Sequence, residues 1–221
     1  MSVAATLERF AATMPRAAAD EINVAQVRLF GARGWVAYQP NHDQRRLRQA
    51  HAIGPVGGLD LIDTLMGLPL GLPVPVRTLS RADQRRLRRL PDGAVTWSGT
   101  AVTRRLAPPV APLLAMVHAT DWSKGLRAAS RFAMYCRRLL VIPTLPHEEE
   151  VALAQASFYG IGVALLRNGT LTMVLESVKV FWTPSCQSFC SWVGSLGGLI
   201  QATVGSLGGS GGWLNRSGLR A

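Results

Sequence analysis

Between Pro112 and Glu176, short apolar runs alternate with amphipathic stretches, and this alternation narrows the fold more than any other feature of the chain. Leu113–Ala119 (LLAMVHA) is a nearly continuous apolar run of the kind that a sheet buries on both faces. Asp121 and Ser123 can accept hydrogen bonds from the first free amides of a following helix, predicted over about Ser123–Cys136. Its expected inward stripe is Leu126, Ala129, Ala133 and Cys136, with Arg127 and Arg131 one turn apart on another face. Leu139–Ile142 reads as a second buried strand, ended by Pro143. Glu148, Glu149 and Glu150 then place negative charge at the positive end of a second helix. Val151, Ala154 and Phe158 are its expected apolar stripe. Gly160 closes it, Ile161–Leu166 is a further strand, and Asn168-Gly169 is a two-residue turn into Leu171–Leu175. Helices between strands require parallel crossovers, while the Asn-Gly turn adds an antiparallel edge. The expected fold class is therefore α/β, with a mixed, mainly parallel sheet flanked by helices.

Upstream the pattern is looser. Residues 2–20 read as helical through Leu7, Phe10 and Met14, with Pro15 ending the run. A second short helix is expected over 22–30, from Ile22, Val24, Val27 and Leu29. Residues 35–58 give little pattern beyond a basic cluster (Arg45, Arg46, Arg48) and a glycine-rich loop. Leu59–Leu68 reads as a short helix stopped at Pro69, followed by a stiff connector through Pro73 and Pro75. Ser80 reads as the N-cap of Arg81–Leu90, whose apolar face is Leu79, Leu87 and Leu90. After the Pro91-Asp92-Gly93 turn, Ala94–Trp97 and Ala101–Leu106 form an expected hairpin. This divides the chain into a mainly helical N-terminal lobe (1–75), an α/β core (76–176) and an uncharged, Gly/Ser-rich, poorly ordered tail (177–221).

Charge suggests a partner. The net charge is +11, and 22 of the 24 cationic residues are arginines. From Arg28 to Arg105 there are 13 arginines against five acids, so most of the excess lies in the first half. A GC-rich genome gives the same arginine bias, and the Arg81–Arg89 helix also reads as a solvated face. The functional reading is contact with the phosphates of DNA or RNA through Arg81, Arg85, Arg88, Arg127 and Arg131, because the planar guanidinium fork suits phosphate. The first residues, MSVAATLERF, carry Glu8 within a broken apolar run and do not read as a secretion signal. Cys136, Cys186 and Cys190 are too few and too unevenly placed for a disulfide framework, which points to the cytoplasm. Cys186 and Cys190 lack a second ligand pair, so no metal site is expected. From Val180 to Asn215 there is no charge, yet Gly, Ser, Gln and Thr interrupt every window, which argues against a membrane span.

MVHATDWSKGLRAASR (116–131), LLVIP (139–143) and FYGIGVALL (158–166) together resemble restriction-endonuclease-like proteins of the PD-(D/E)XK superfamily. The resemblance covers roughly residues 93–176 and rests on element order and short motifs. In that superfamily a strand ending in an acid-x-Lys pair precedes a helix. An Asp and a Glu hold a divalent metal there, and the Lys helps to activate water. Aligning the Thr120-Asp121-Trp122 turn places Met116 at the carboxylate position and His118 at the Lys position. Pro108-Pro109 falls in the region of the expected Pro-Asp. A thioether does not replace a hard oxygen ligand for magnesium. The resemblance thus implies a catalytically degenerate, nuclease-like bacterial protein without a cofactor. One alternative is an active magnesium-dependent nuclease with relocated carboxylates, at Asp121 or Asp92. Another is a non-enzymatic interaction module whose partner protein meets the N-terminal lobe or the tail through Trp182, Phe189, Trp192 and Trp213.

Overall fold

In chain order, the computed structural model begins with β1 (Asn23–Leu29), β2 (Ala32–Pro40), α1 (His42–Ala50), α2 (Leu59–Met66) and β3 (Pro73–Pro75). A 3-10 turn (Val76–Thr78), α3 (Arg81–Leu87), β4 (Val95–Ser98) and β5 (Ala101–Arg104) follow. The second half holds β6 (Val110–His118), α4 (Trp122–Ser130), β7 (Arg137–Ile142), α5 (Glu149–Phe158), β8 (Ile161–Arg167) and β9 (Thr170–Leu175). The structure describes residues 5–6, 9–10, 22–29, 31–54, 56, 58–133 and 135–177.

The main scaffold is a six-stranded mixed sheet in the order β1-β2-β6-β7-β8-β9. β6–β7 and β7–β8 are parallel, joined through α4 and α5 as the alternation of apolar runs predicts. The other three pairings are antiparallel, so the sheet is mixed, with antiparallel pairings in the majority and not mainly parallel. The added antiparallel pairings come from β1 and β2, within the stretch expected to be helical or patternless. Ala25 and Val27 are buried while Gln26 and Arg28 are exposed, a period of two that overrides the helical spacing of the same residues. The chain reverses at Gly31, whose φ of 74° favours a residue without Cβ. Residues 1–75 therefore contribute two strands to the main sheet. Ala5, Thr6, Arg9 and Phe10 are helical as expected, and Phe10 packs under the sheet. The tail beyond Ser177, with Cys186, Cys190 and its tryptophans, lies outside the described residues.

The sheet has two apolar faces. One buries Val36, Ala115, Val117, Leu140, Ile142, Ile161 and Val163 beneath Leu126 and Ala129 of α4 and Ala156 of α5. The opposite face gathers Ala37, Leu114, Met116, Leu139, Val141 and Ala164. Asp121 caps α4, its Oδ1 accepting from the Lys124 amide at 2.7 Å. The helix ends at Ser130, six residues before the predicted end, and the following turn drives Phe132, Tyr135 and Cys136 into the core. The expected stripe of α5 is overturned. Val151 is 63% exposed, Phe158 84%, and Ala154 is also exposed, whereas Ala152 and Ala156 are buried. This helix is apolar on both sides, so spacing alone does not orient it; the small alanines let it approach the sheet most closely. Buried Arg138 donates to the Tyr159 carbonyl at 2.7 Å, a cation at the C-terminal end of α5.

Close docking also explains Gly125 on α4. A Cβ there would lie 2.6 Å from Leu140 Cδ1 and 2.9 Å from Ala119 Cβ. Gly125→Ala is expected to destabilise the fold by about 2 kcal/mol through overpacking, despite alanine's better helix propensity. Thermal unfolding followed by circular dichroism checks this; an unchanged midpoint would mean that α4 has slack.

A second, smaller core lies between β2 and β6 in the sequence. There β3, β5 and β4 form a three-stranded antiparallel sheet, with β5 in the middle. Ile53, Leu65, Leu68, Leu87, Leu90, Ala94, Val102 and Leu106 fill its core, with Leu47 of α1 packed against it. The basic cluster of Arg45, Arg46 and Arg48 stands on α1, which Asn41 caps through the Gln44 amide.

Candidate functional site

The C-terminal end of β6 is where the nuclease resemblance would put its chemistry. Met116 is fully buried among Ala37, Leu114, Leu139, Val141 and Ala164, so it belongs to the apolar core of the sheet. His118 is half-buried at the strand end, opposite Val141 of β7. Asp121 is exposed and occupied as the α4 cap. Met116 lies between Trp35 of β2 and Leu139 of β7. Pro108-Pro109 instead precede β6 at its other end, where the Pro109 carbonyl accepts from the Asn41 amide at 2.9 Å. At ~3.3 Å per residue, nine residues put Pro109 roughly 30 Å from His118. Strand β6 therefore separates the prolines from the Met116–His118 pair. Asp92 stands in the exposed turn before β4, in the part of the chain that forms the smaller sheet. Among the described residues, no group of three His, Cys, Asp or Glu is arranged to hold a metal ion. Cys136 is not a candidate nucleophile: burial pushes its thiol up to about 12.

The arginines divide between two surfaces. Arg127 and Arg131 are exposed at α4, on the larger core, with Arg127 Nε donating to the Ser123 carbonyl at 3.3 Å. Arg81, Arg85 and Arg88 are exposed along α3 and its C-cap, together with Arg89. Ser80 caps this helix through the Asp83 amide at 3.1 Å, as its sequence predicts. The helix buries only Leu87, leaving the rest of its surface to polar groups.

Within α3 one arginine differs from the others. Arg86 is paired with Asp83 at 3.0 Å and with Asp60 of α2 at 3.5 Å, tying the two helices together. Arg81, Arg85, Arg88 and Arg89 have no carboxylate within 4 Å among the described residues. The guanidinium of Arg88 sits 5.7 Å from the ring centroid of Trp97 on β4, within cation–π range. Trp97 is 38% exposed, and the flanking Thr96 and Ser98 are exposed as well. The 3-10 turn before α3 is tied to the β4–β5 turn, since the Val76 amide, next to exposed Arg77, donates to the Thr100 carbonyl at 2.7 Å. Basic side chains and one accessible indole thus share a surface. Trp97 was legible only as a strand residue, because its nearness to Arg88 arises from packing between α3 and β4.

Asp83 anchors that helix. The Ser80 hydroxyl donates to its Oδ2 at 2.6 Å and is the main reason that the carboxyl is held below the usual range. Partial desolvation opposes this, while Arg86 and Thr64 reinforce it. A carboxyl with a depressed folded pKa adds stability above its unfolded value, near 3.9, and loses it as pH falls through the folded value. Asp83→Asn is accordingly expected to be less stable than the parent at pH 7 and to show a shallower loss of stability below about pH 4. Urea unfolding across that range measures it; parallel pH profiles would contradict this role.

Comparison with known proteins finds no matching family model, no matching curated protein and no matching solved structure. No helix among the described residues is long and apolar enough to cross a membrane.

Proposed function

We propose that this chain is a nuclease-like cytoplasmic protein that has lost its cleavage residues and binds nucleic acid through its arginine surfaces. The observation that carries the binding reading is the α3 surface, where four exposed arginines stand without carboxylate partners beside an accessible indole. Unneutralised guanidinium groups gain most from replacing the counterions of a polyphosphate. Two features support the nuclease-like reading: the order β6-α4-β7-α5-β8, and the Thr120-Asp121-Trp122 turn leading into a capped helix. Met116 in an apolar core, and the lack of an acid pair beside His118 among the described residues, support loss of cleavage. Magnesium enters only if the active-nuclease alternative holds.

Fluorescence anisotropy with labelled DNA and RNA tests the binding. The parent protein is expected to bind with an affinity that falls steeply between about 50 and 200 mM salt. Arg81→Glu with Arg85→Glu is expected to weaken binding at least ~10-fold and to flatten the salt slope by about 2. Arg127→Glu with Arg131→Glu tests the α4 surface in the same way. A parent protein that binds neither DNA nor RNA at low salt would overturn the reading. Incubation with magnesium or manganese is expected to leave nucleic acid intact; cleavage abolished by Asp121→Ala would favour the active alternative.

The exposed stripe of α5 favours a second reading, docking of a partner protein. Val151, Phe158 and Tyr159 are large apolar side chains standing in solvent. A complex from cells that Phe158→Glu disrupts, and that the α3 variants preserve, would support it.

A further inference from the structure

We infer that Trp97 and Arg88 form a base-stacking platform, which makes single-stranded nucleic acid the preferred ligand of the α3–β4 surface. This inference rests on the nucleic-acid reading above and specifies its ligand. β4 is an edge strand of the three-stranded sheet, and among the described residues no further strand covers its outer side. By register Trp97 lies opposite Val102, which is fully buried, so the indole is anchored on the edge of the smaller core. The remaining 38% of the residue faces solvent. The Arg88 guanidinium lies over one face of the ring, 5.7 Å from its centroid, and holds it, so a base stacks on the other face.

Around this platform the charge is extended. Arg81 to Arg88 span about 10 Å along the helix axis, enough to accompany a backbone past more than one phosphate. An anchored indole offers a flat apolar face that only an unstacked base can reach, because in a duplex each base face is already covered by its neighbours. Arginines alone would serve duplex and single strand alike. The indole supplies the difference between them.

The experiment compares an oligothymidylate of about 15 nucleotides, the matching oligouridylate, and a duplex of equal length by anisotropy at fixed salt. The parent protein is expected to favour the single strands, with the two sugars bound similarly. Trp97→Ala is expected to weaken single-strand binding by about tenfold, to leave duplex binding within twofold, and to keep the salt slope. Trp97→Phe, which retains an aromatic face, recovers most of the affinity. Trp97→Leu, which keeps apolar volume at the edge of the smaller core and removes the aromatic face, is expected to weaken single-strand binding as alanine does. Preference for duplex would overturn the inference. So would single-strand binding unchanged in both Trp97→Ala and Trp97→Leu, even where Arg81→Glu with Arg85→Glu weakens every ligand; in that outcome the arginine surface binds nucleic acid without stacking. Absence of binding to all three ligands removes the underlying reading as well.

Discussion

Phe132→Ala is expected to lower the unfolding free energy by about 4 kcal/mol, a large part of the ~5–15 kcal/mol typical of a folded chain. Phe132 is fully buried just beyond α4. A Cβ on Gly34 would lie 3.6 Å from its Cζ, so the ring reaches across to β2. Its amide bonds the Ala129 carbonyl at 3.1 Å, and its carbonyl accepts from Tyr135 and Cys136. The ring therefore fills the space between the helix end and the first strands of the sheet. Alanine removes the apolar transfer gain and leaves a cavity that α4, fixed by its contacts with β7, closes only in part. Phe132→Leu retains most of the volume and is expected to cost less than half as much. Urea unfolding monitored by far-ultraviolet circular dichroism measures both. A loss below about 1 kcal/mol for alanine would mean that the site collapses freely.

Arg104→Met is expected to destabilise by about 3 kcal/mol, with its effect concentrated in the smaller core. Arg104 is only 6% exposed, and its guanidinium donates to three carbonyls: Leu106 at 2.7 Å, Leu68 at 3.1 Å and Met66 at 3.3 Å. Met66 ends α2 and Leu68 follows its C-cap, so two of these acceptors lie where a helix leaves carbonyls without intrahelical partners. A cation there also meets the negative end of the helix dipole. Methionine conserves the length of the side chain and removes the donors, leaving buried acceptors unsatisfied. Lysine is expected to restore less than half, since one ammonium cannot reproduce the planar fork that spans both sides. Hydrogen exchange adds the location: amides around Gly67, Gly71 and Ala94 are expected to lose protection, while β6 to β8 keep theirs. Uniform loss over both cores would show that the two unfold as one unit.

The parts of the fold that were readable are those where local chemistry and packing agree. Between β6 and β9 the element order follows the prediction, because buried parallel strands are apolar throughout; α4, which Asp121 caps, ends six residues early, and α5 has no side-chain cap. Ser80 and Asp121 accept from Asp83 and Lys124, the N3 amides that their spacing suggested. β1 escaped notice because Ile22, Val24, Val27 and Leu29 satisfy a helical spacing as well as they line a strand. β2 escaped because Trp35, Val36, Ala37 and Tyr38 are apolar without alternation, as befits a strand paired on both sides. In the candidate site, the exposed arginines of α3 were legible from a helix with few apolar positions. Their unequal roles were not: Arg86 is neutralised by Asp60, an acid from another helix.

What a chain writes into its own order is therefore limited to neighbours. Apolar period, capping side chains, turn residues and net charge act within a few residues, and they suffice for the β6–β9 unit, the β4–β5 hairpin and the basic character of α3. Which face of α5 is buried, why Arg104 lies inside, and how Trp97 comes under Arg88 each depend on groups far apart in sequence. Such contacts form only when docking removes both partners from water, and their energies have no counterpart in local pattern.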